Sequence, residues 1–174
     1  NLILNAIDNV DFVVGDLYAP VRDDQFDLIM ANPPFVICPT DSARYRDGGA
    51  MGDTVLKRIM EDLPRHLKAG GYCQIVTMLS EFDGVSHEEI IKELARSNGY
   101  ETLILSTQEH DSYQFALDQY DDVTNSAKYR SQVTEFLDHL GAVKFIRGFL
   151  CVVTFKNSGA YRYSRMFAIR RPVL

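Results

Sequence analysis

The sequence predicts an α/β fold with helices on both faces of a sheet. Residues 26–31 form a short and almost wholly apolar run between turn signals, which is typical of a strand buried on both faces. Residues 53–67 carry apolar side chains at the spacing of an amphipathic helix. Residues 72–79 then predict the next buried strand, so strand, helix and strand follow one another along the chain.

Composition indicates one globular domain over residues 1–174. The hydrophobic fraction, 46%, is ordinary for a protein with a real core. The chain has no apolar stretch near the ~18 residues of a membrane span and no signal-peptide pattern at its start, so we expect a cytoplasmic protein. The three cysteines, Cys38, Cys73 and Cys151, form no Cys-x-x-Cys pair, which argues against a disulfide framework or a zinc site. A net charge of −6 does not favour non-specific nucleic-acid binding, although a local basic patch could provide it.

The first part of the chain predicts the end of a helix and then a strand. Residues 1–9 resemble last helical turns without a cap, as though cut from something longer, and residues 10–14 predict a strand. Gly15 and Asp16 follow, and they predict a turn with an exposed carboxylate. From these residues, Asp16 is either a ligand-binding acid or a plain loop acid or helix cap.

The strand predicted at residues 26–31 ends abruptly in a proline pair. The residues that end it are Asn32, Pro33, Pro34 and Phe35. Prolines cannot donate to a sheet ladder, and they hold the residues before them extended, so we expect a stiff loop at the carboxyl end of a parallel strand. The loop offers an amide, carbonyls and an aromatic face, which together can bind a planar NH2 group. The alternative is a strand stop with a proline-stiffened turn.

These four residues resemble the Asn/Asp/Ser-Pro-Pro-aromatic signature of class I S-adenosylmethionine-dependent methyltransferases that modify nitrogen. The group includes DNA and RNA adenine-N6 enzymes, RNA guanine-N2 enzymes and HemK-like protein glutamine-N5 enzymes. The resemblance implies a Rossmann-like sheet, of which this chain holds strands three to seven, and S-adenosyl-L-methionine as cofactor. It further implies that Asp16 accepts a hydrogen bond from the cofactor's adenine amino group, that Leu17 packs on the adenine, and that Asn32 also contacts the cofactor.

The resemblance also implies catalytic roles for the motif. The Asn32 side-chain oxygen and the Pro33 carbonyl would accept the two N–H bonds of the target NH2 group, next to Pro34. Phe35 would stack on the planar group and hold it in line with the sulfonium methyl. Such chemistry is mostly positioning and electrostatics, so no strong base is required.

A long loop follows the motif at residues 36–49. Arg44 and Arg46 in it are candidates for holding substrate, and a solvated loop with ion pairs explains them equally well. The segment Asp47-Gly48-Gly49 resembles a segment before the next helix of HemK-like enzymes. In that next helix, over residues 53–67, we expect a cap at Asp53, a stop or kink at Pro64 near Asp62, a surface His66, and an end at Gly70-Gly71.

The second half of the chain departs from the family. We expect a helix over residues 86–97 with a Ser86/Glu89 capping box, a strand over 100–106, a helix over 125–140 and a last long strand over 149–155. Residues 107–141 form an acidic and helical insertion before that strand, where the family has a short hairpin. His110 and the acids of this insertion lack metal-ligand spacing, so we predict a solvated face and no metal. The Arg- and Tyr-rich tail is predicted as an edge strand, or less readily as a nucleic-acid surface.

The family's glycine-rich turn for the methionine end of the cofactor, and its acid for the ribose, have no counterpart in this sequence. We therefore expect this chain to be the C-terminal part of a larger protein, to need an N-terminal remainder, and to bind cofactor poorly by itself. Val36 and the segment at residues 47–49 favour methylation of a protein glutamine. RNA adenine-N6 or guanine-N2 methylation is one alternative. A non-catalytic domain that binds a partner protein through its acidic insertion and basic tail is the other.

Overall fold

The computed structural model describes residues 3–37, 48–49, 52–82, 85–106, 108–110, 126–141, 143–149, 156–157 and 162–167. The helices in these ranges are α1 (Thr54–His66), α2 (His87–Ser97) and α3 (Ser126–His139), with a short 3-10 helix at Ile3–Asn5. The strands are β1 (Phe26–Ala31), β2 (Leu67–Ile75), β3 (Thr77–Phe82), β4 (Val85–Ser86), β5 (Tyr100–Ser106), β6 (Gln108–His110), β7 (Val143–Phe149), β8 (Lys156–Asn157) and β9 (Arg162–Phe167). The chain is a mixed α/β protein.

The described strands pair in three sheets. β1 lies parallel to β2, β5 lies between β8 and β9, and a third sheet has the order β4-β3-β7-β6. β9 is parallel to β5 and lies at the edge of its sheet, where the tail was expected. The strand expected over residues 72–79 is two strands. The chain leaves the β1–β2 ladder at Val76, whose N–H donates to the Ala31 carbonyl at 3.0 Å, and β3 then pairs antiparallel with β7.

The core forms around α1, as its apolar spacing predicts. The apolar residues of α1 that are buried are Leu56, Ile59, Met60 and Leu63. They pack with buried residues of β2, α2 and β5, among them Cys73, Ile91 and Tyr100. α1 thus lies against the β1–β2 pair on one side of the sheet, and it fixes the strand after which the proline motif begins.

The end of α1 differs from the prediction. The helix continues past Pro64 to His66, because burial of Leu63 and a hydrogen bond from Leu67 N–H to the Leu63 carbonyl hold its last turn. His66 is buried with 4% exposure, so its prediction as a surface residue was wrong. Gly70 and Gly71 do not stop the helix. They lie inside β2, where the register with β1 shifts between Phe26 and Leu28.

The first residues of the chain also differ from the prediction. Of the helix expected over residues 1–9, the described residues 3–9 form only the 3-10 helix, and residues 10–14 do not form a strand. Phe12 and Val14 are 80% and 86% exposed. A β-prone run forms a strand when it has a partner strand to pair with and a face to bury, and the described part of the chain supplies neither for residues 10–14.

α2, β5 and α3 follow the sequence closely, whereas β7 and the short strands β4, β6 and β8 were not predicted. α2 begins after Ser86, whose hydroxyl accepts the Glu88 N–H at 3.1 Å and so caps the helix. β5 has the expected bounds, and α3 covers most of residues 125–140. β6 and α3 are the described part of the insertion at residues 107–141, whereas residues 150–155 of the expected last strand lie outside the described residues. Among the described helices, none has the length and apolarity that a bilayer crossing requires.

Candidate functional site

The proline motif lies at the carboxyl end of β1. β1 ends at Ala31, and residues 32–35 continue without regular structure. Asn32 is exposed, Pro33 is buried, and Pro34 and Phe35 are half-buried. The loop is therefore anchored through its first proline while the amide of Asn32 reaches solvent. A polar group held at the end of a parallel strand is in the position at which open α/β sheets bind ligands.

The loop before α1 lies directly against this motif. Gly48 N–H donates to the Val36 carbonyl at 2.8 Å, and Thr54 N–H donates to the Gly48 carbonyl at 3.0 Å. Ile37, which ends this described stretch, is buried with 1% exposure. The motif is thus connected by backbone hydrogen bonds to the first turn of α1.

Asp16 is connected to the same helix by its side chain. Its Oδ2 accepts a hydrogen bond from the Arg58 guanidinium at 2.6 Å, and this pairing raises the pKa of Arg58. The Asp16 side chain is 68% exposed, so its carboxylate remains accessible to a ligand. Leu17 is half-buried against the hydrophobic core.

The segment after Asp16, residues 16–25, runs along α1 to its last turn, and we call it the acid loop. The Tyr18 ring stacks on the His66 ring with centroids 4.2 Å apart, and the Tyr18 hydroxyl donates to the Ile59 carbonyl at 3.5 Å. The His66 Nδ1 lies 3.0 Å from the Asp24 carbonyl oxygen. Burial raises the pKa of Tyr18 well above its ordinary value, so the phenol stays neutral in this contact.

α1 joins the acid loop to the proline motif. Thr54 and Arg58 are four residues apart, so they lie on one face of the helix, about one 5.4 Å turn from each other. Thr54 bonds the loop that contacts the motif, and Arg58 bonds Asp16. The acid and the motif, distant in sequence, are therefore both attached to the first two turns of one rigid helix.

The predicted site residues divide into those that the structure describes and those that it does not. Asp16, Leu17 and the motif residues all belong to the region organised by α1. Arg44 and Arg46 lie outside the described residues. Tyr18 and His66 were missed by the sequence analysis, which carries no local signal for a ring stack between residues so far apart. In the described ranges, no group of three His, Cys, Asp or Glu side chains is placed to hold a metal ion.

The hydrogen-bond acceptors of these residues suit a planar ligand that carries N–H groups. An exposed carboxylate oxygen can accept from an aromatic amino group, as Asp16 would for adenine. An exposed amide followed by a proline carbonyl can accept two further N–H bonds. An aromatic amino group at Asp16 and an amide or amino group at Asn32 would satisfy these acceptors.

Comparison with known proteins gives three named relatives and one family. Residues 1–103 match the family described as methyltransferase small domain. A ribosomal protein uL3 glutamine methyltransferase of Bradyrhizobium diazoefficiens is 38% identical over 73 residues, covering 35% of this chain and 23% of that protein. A putative protein N5-glutamine methyltransferase of Methanocaldococcus jannaschii is 37% identical over 82 residues, covering 44% and 41%. A release factor glutamine methyltransferase of Thermodesulfovibrio yellowstonii is 27% identical over 115 residues, covering 55% and 41%. The chain spans less than half the length of these curated relatives.

Proposed function

The chain belongs to the methyltransferase small domain family, whose model covers more than half of it, and on that premise we propose that it carries the acceptor site of a protein glutamine N5-methyltransferase. The cofactor would be S-adenosyl-L-methionine, and the acceptor would be the side-chain amide nitrogen of a glutamine in a protein substrate. Three relatives named as glutamine methyltransferases support this choice of acceptor. RNA methylation and a non-catalytic interaction domain are the alternatives that these names disfavour.

One structural observation supports the proposal most directly. The exposed Asn32 amide follows β1 immediately, and the buried Pro33 fixes the backbone beneath it. A carboxamide acceptor has two N–H bonds to donate, and the Asn32 side-chain oxygen and the Pro33 carbonyl would accept one each. Phe35 would keep the planar group of the acceptor in place by stacking.

Asn32 and Pro33 would act by orienting the acceptor nitrogen. Two hydrogen bonds draw its lone pair out of conjugation with the carbonyl and aim it at the methyl group. When bound, S-adenosyl-L-methionine supplies an electrophilic methyl on a good leaving group. Asp16 would hold the adenine amino group through Oδ1 while Arg58 holds Oδ2. The nitrogen loses its extra proton to water after transfer, so the site needs no strong base.

We also propose that polypeptide N-terminal to this chain completes the cofactor site. Apolar side chains on one face of the β1–β2 pair are exposed: Leu28 51%, Met30 71% and Tyr72 44%. Parallel strands are ordinarily covered on both faces. A preceding half of the same protein would cover this face, pair with the remaining edge of β1 and bring the site for the cofactor's methionine end.

The test is methyl transfer by the full-length protein with Asn32→Ala and Asn98→Ala. Asn98 is an exposed asparagine at the end of α2, whose Nδ2 donates to the Leu94 carbonyl at 2.8 Å, so it is a matched control. Loss of one oriented hydrogen-bond partner should lower kcat by about 10²–10³-fold in Asn32→Ala, and Asn98→Ala should keep wild-type turnover.

The acceptors offered are purified ribosomal proteins, release factors and total RNA, with methyl-labelled cofactor. Mass spectrometry of N5-methylglutamine in hydrolysed protein identifies the product. Label on RNA would replace the proposal with RNA methylation. No label on any acceptor, from a folded protein that binds no cofactor, would favour the interaction domain.

A further inference from the structure

We propose that Gly48 and Gly52 form a backbone clamp that positions the proline motif, and that Gly52 is a positioning residue for methyl transfer. The inference deepens the proposed function and rests on it. The clamp is defined by its two glycines, which lie between the motif and the start of α1. Both residues are buried.

Gly48 makes the first connection of the clamp. Its N–H donates to the Val36 carbonyl at 2.8 Å, and its own carbonyl accepts from Thr54 N–H at 3.0 Å. The same residue therefore bonds the segment after Phe35 on one side and the first residue of α1 on the other. Since α1 is fixed by the core, Gly48 transmits that fixed position to Val36.

Gly52 makes the second connection by close packing. A Cβ at this residue would lie 2.6 Å from the Phe35 carbonyl oxygen and 3.1 Å from Cγ1 of Ile37. Gly52 also has φ +73°, a conformation that other residues rarely adopt. The Gly52 backbone is thus in close contact with the Phe35 carbonyl, and a side chain at residue 52 would displace that carbonyl.

The two glycines also pack against each other. A Cβ on Gly48 would lie 2.8 Å from the Gly52 backbone, and a Cβ on Gly52 would meet the Phe35 carbonyl. This arrangement therefore requires that both residues lack side chains. Ile37 is buried beneath the contact. The clamp therefore leaves the Phe35–Ile37 backbone little room to shift.

A shift of this backbone would matter for the proposed reaction. Phe35 would hold the planar group of the acceptor, and displacement of reacting groups by about 1 Å can cost up to ~100-fold in rate. Asp16 is attached to α1 at Arg58 and not to the clamp. We therefore expect a looser clamp to lower kcat and to leave the affinity for the cofactor unchanged.

Gly52→Ala in the full-length protein tests the clamp, and Gly70→Ala is the matched control. Gly70 has φ +78°, and no other atom of the described residues lies within 4 Å of where its Cβ would be, so its alanine variant has the backbone strain without the collision. Gly52→Ala should lower kcat by up to ~100-fold and speed hydrogen exchange of the Gly48 and Thr54 amides, which donate the two hydrogen bonds of the clamp. The dissociation constant of S-adenosyl-L-methionine, measured by calorimetry, should stay at the wild-type value. Gly70→Ala should change none of these.

A third variant keeps the test decisive if Gly52→Ala does not fold. Gly48→Ala has no positive φ to strain, yet its Cβ meets the Gly52 backbone, so it should reproduce the faster exchange of the amides of residue 48 and Thr54. Exchange and kcat equal to those of Gly70→Ala would overturn the clamp while the proposed function stands. A wild-type protein that transfers no methyl would overturn the proposed function. The exchange rates of the glycine variants would still show whether the two glycines hold this part of the backbone.

Discussion

Asp16 and Asp27 are both exposed aspartates paired with a cation, yet only Asp16 belongs to the candidate site. Asp16 is 68% exposed and pairs with Arg58 at 2.6 Å, whereas Asp27 is 85% exposed and pairs with Lys68 at 2.9 Å. Exposed ion pairs contribute little to stability. The contribution of Arg58 is therefore geometric, because it holds Oδ2 while most of the Asp16 side chain stays exposed.

The contrast between Asp16 and Asp27 predicts different effects of their substitution on cofactor binding. Asp16→Ala in the full-length protein should raise the dissociation constant of S-adenosyl-L-methionine by about 10-fold or more, since a hydrogen bond to a charged group is worth about 1.5–3 kcal/mol. Asp27→Ala should leave that constant unchanged. Calorimetric titration measures both. Equal affinity of Asp16→Ala and wild type would remove Asp16 from the cofactor site.

The residues of the candidate site were predictable where local sequence carries the signal. Residues 32–35 form a contiguous motif after an apolar run, and the structure places this motif at the end of β1. The Tyr18–His66 stack was not predictable, because periodicity assigns each ring to its own element and carries no information about their meeting. The clamp glycines were visible in the sequence, but their close approach to the motif required the folded backbone.

At the scale of elements, β2 and β5 bury two titratable groups beside each other. Burial raises the pKa of the Cys73 thiol from 9.0 to about 12, and it raises the pKa of Tyr100 from 10.0 to about 12. Both groups are neutral in the folded protein at neutral pH. In the unfolded chain both groups ionise at a lower pH than in the folded protein, so unfolding releases protons above about pH 9.

The sign of the pH dependence follows from this difference. A group whose folded pKa lies above its unfolded value supports the folded state fully below the unfolded pKa, and that support is lost as pH rises towards the folded pKa. The free energy of unfolding should therefore fall between pH 9.0 and about 12. Cys73→Ala should flatten this slope, although it lowers stability at neutral pH by leaving a small cavity.

Tyr72→Phe is the matched control, because Tyr72 is adjacent in sequence but 44% exposed. It should keep the wild-type slope. Urea unfolding followed by circular dichroism across this pH range measures all three proteins. Identical slopes for Cys73→Ala and wild type would show that the buried thiol does not couple to folding.

Elements with a strong local pattern were predicted well, and long-range pairing was not. α1 and α2 follow their apolar spacing, and Ser86 caps α2, whereas the Asp53 side chain pairs with Lys57 and makes no capping hydrogen bond. Pro64 did not end α1, since tertiary burial outweighs a lost hydrogen bond in a last turn. The antiparallel pairing of β3 with β7 joins residues far apart in sequence, which no local periodicity specifies. The strand expected at residues 10–14 does not form for the same reason, because it needs a partner strand to pair with.

At the scale of the whole molecule, the exposed large apolar side chains of the described residues fall into two groups. They precede β1 or lie on the outer face of the β1–β2 pair. The most exposed are Leu4, Phe12, Val14 and Met30, at 85%, 80%, 86% and 71%. Exposed apolar surface of this kind marks a site of association, and we propose that the N-terminal half of the full-length protein occupies it.

This proposal predicts opposite effects of one substitution in two contexts. In the 174-residue chain, Met30→Lys should reduce self-association, because a charge on the exposed face of a strand opposes pairing and clustering. In the full-length protein the same lysine would be buried under the N-terminal half, so it should lower the melting temperature, as burying an unpaired charge does. Thr134→Lys adds the same charge at an exposed position of α3 and should do neither. Sedimentation velocity of the chain and thermal unfolding of the full-length protein measure the two effects. If Met30→Lys leaves the full-length protein as stable as Thr134→Lys does, the face is open to solvent there too, and the cofactor site must be completed without a covering half.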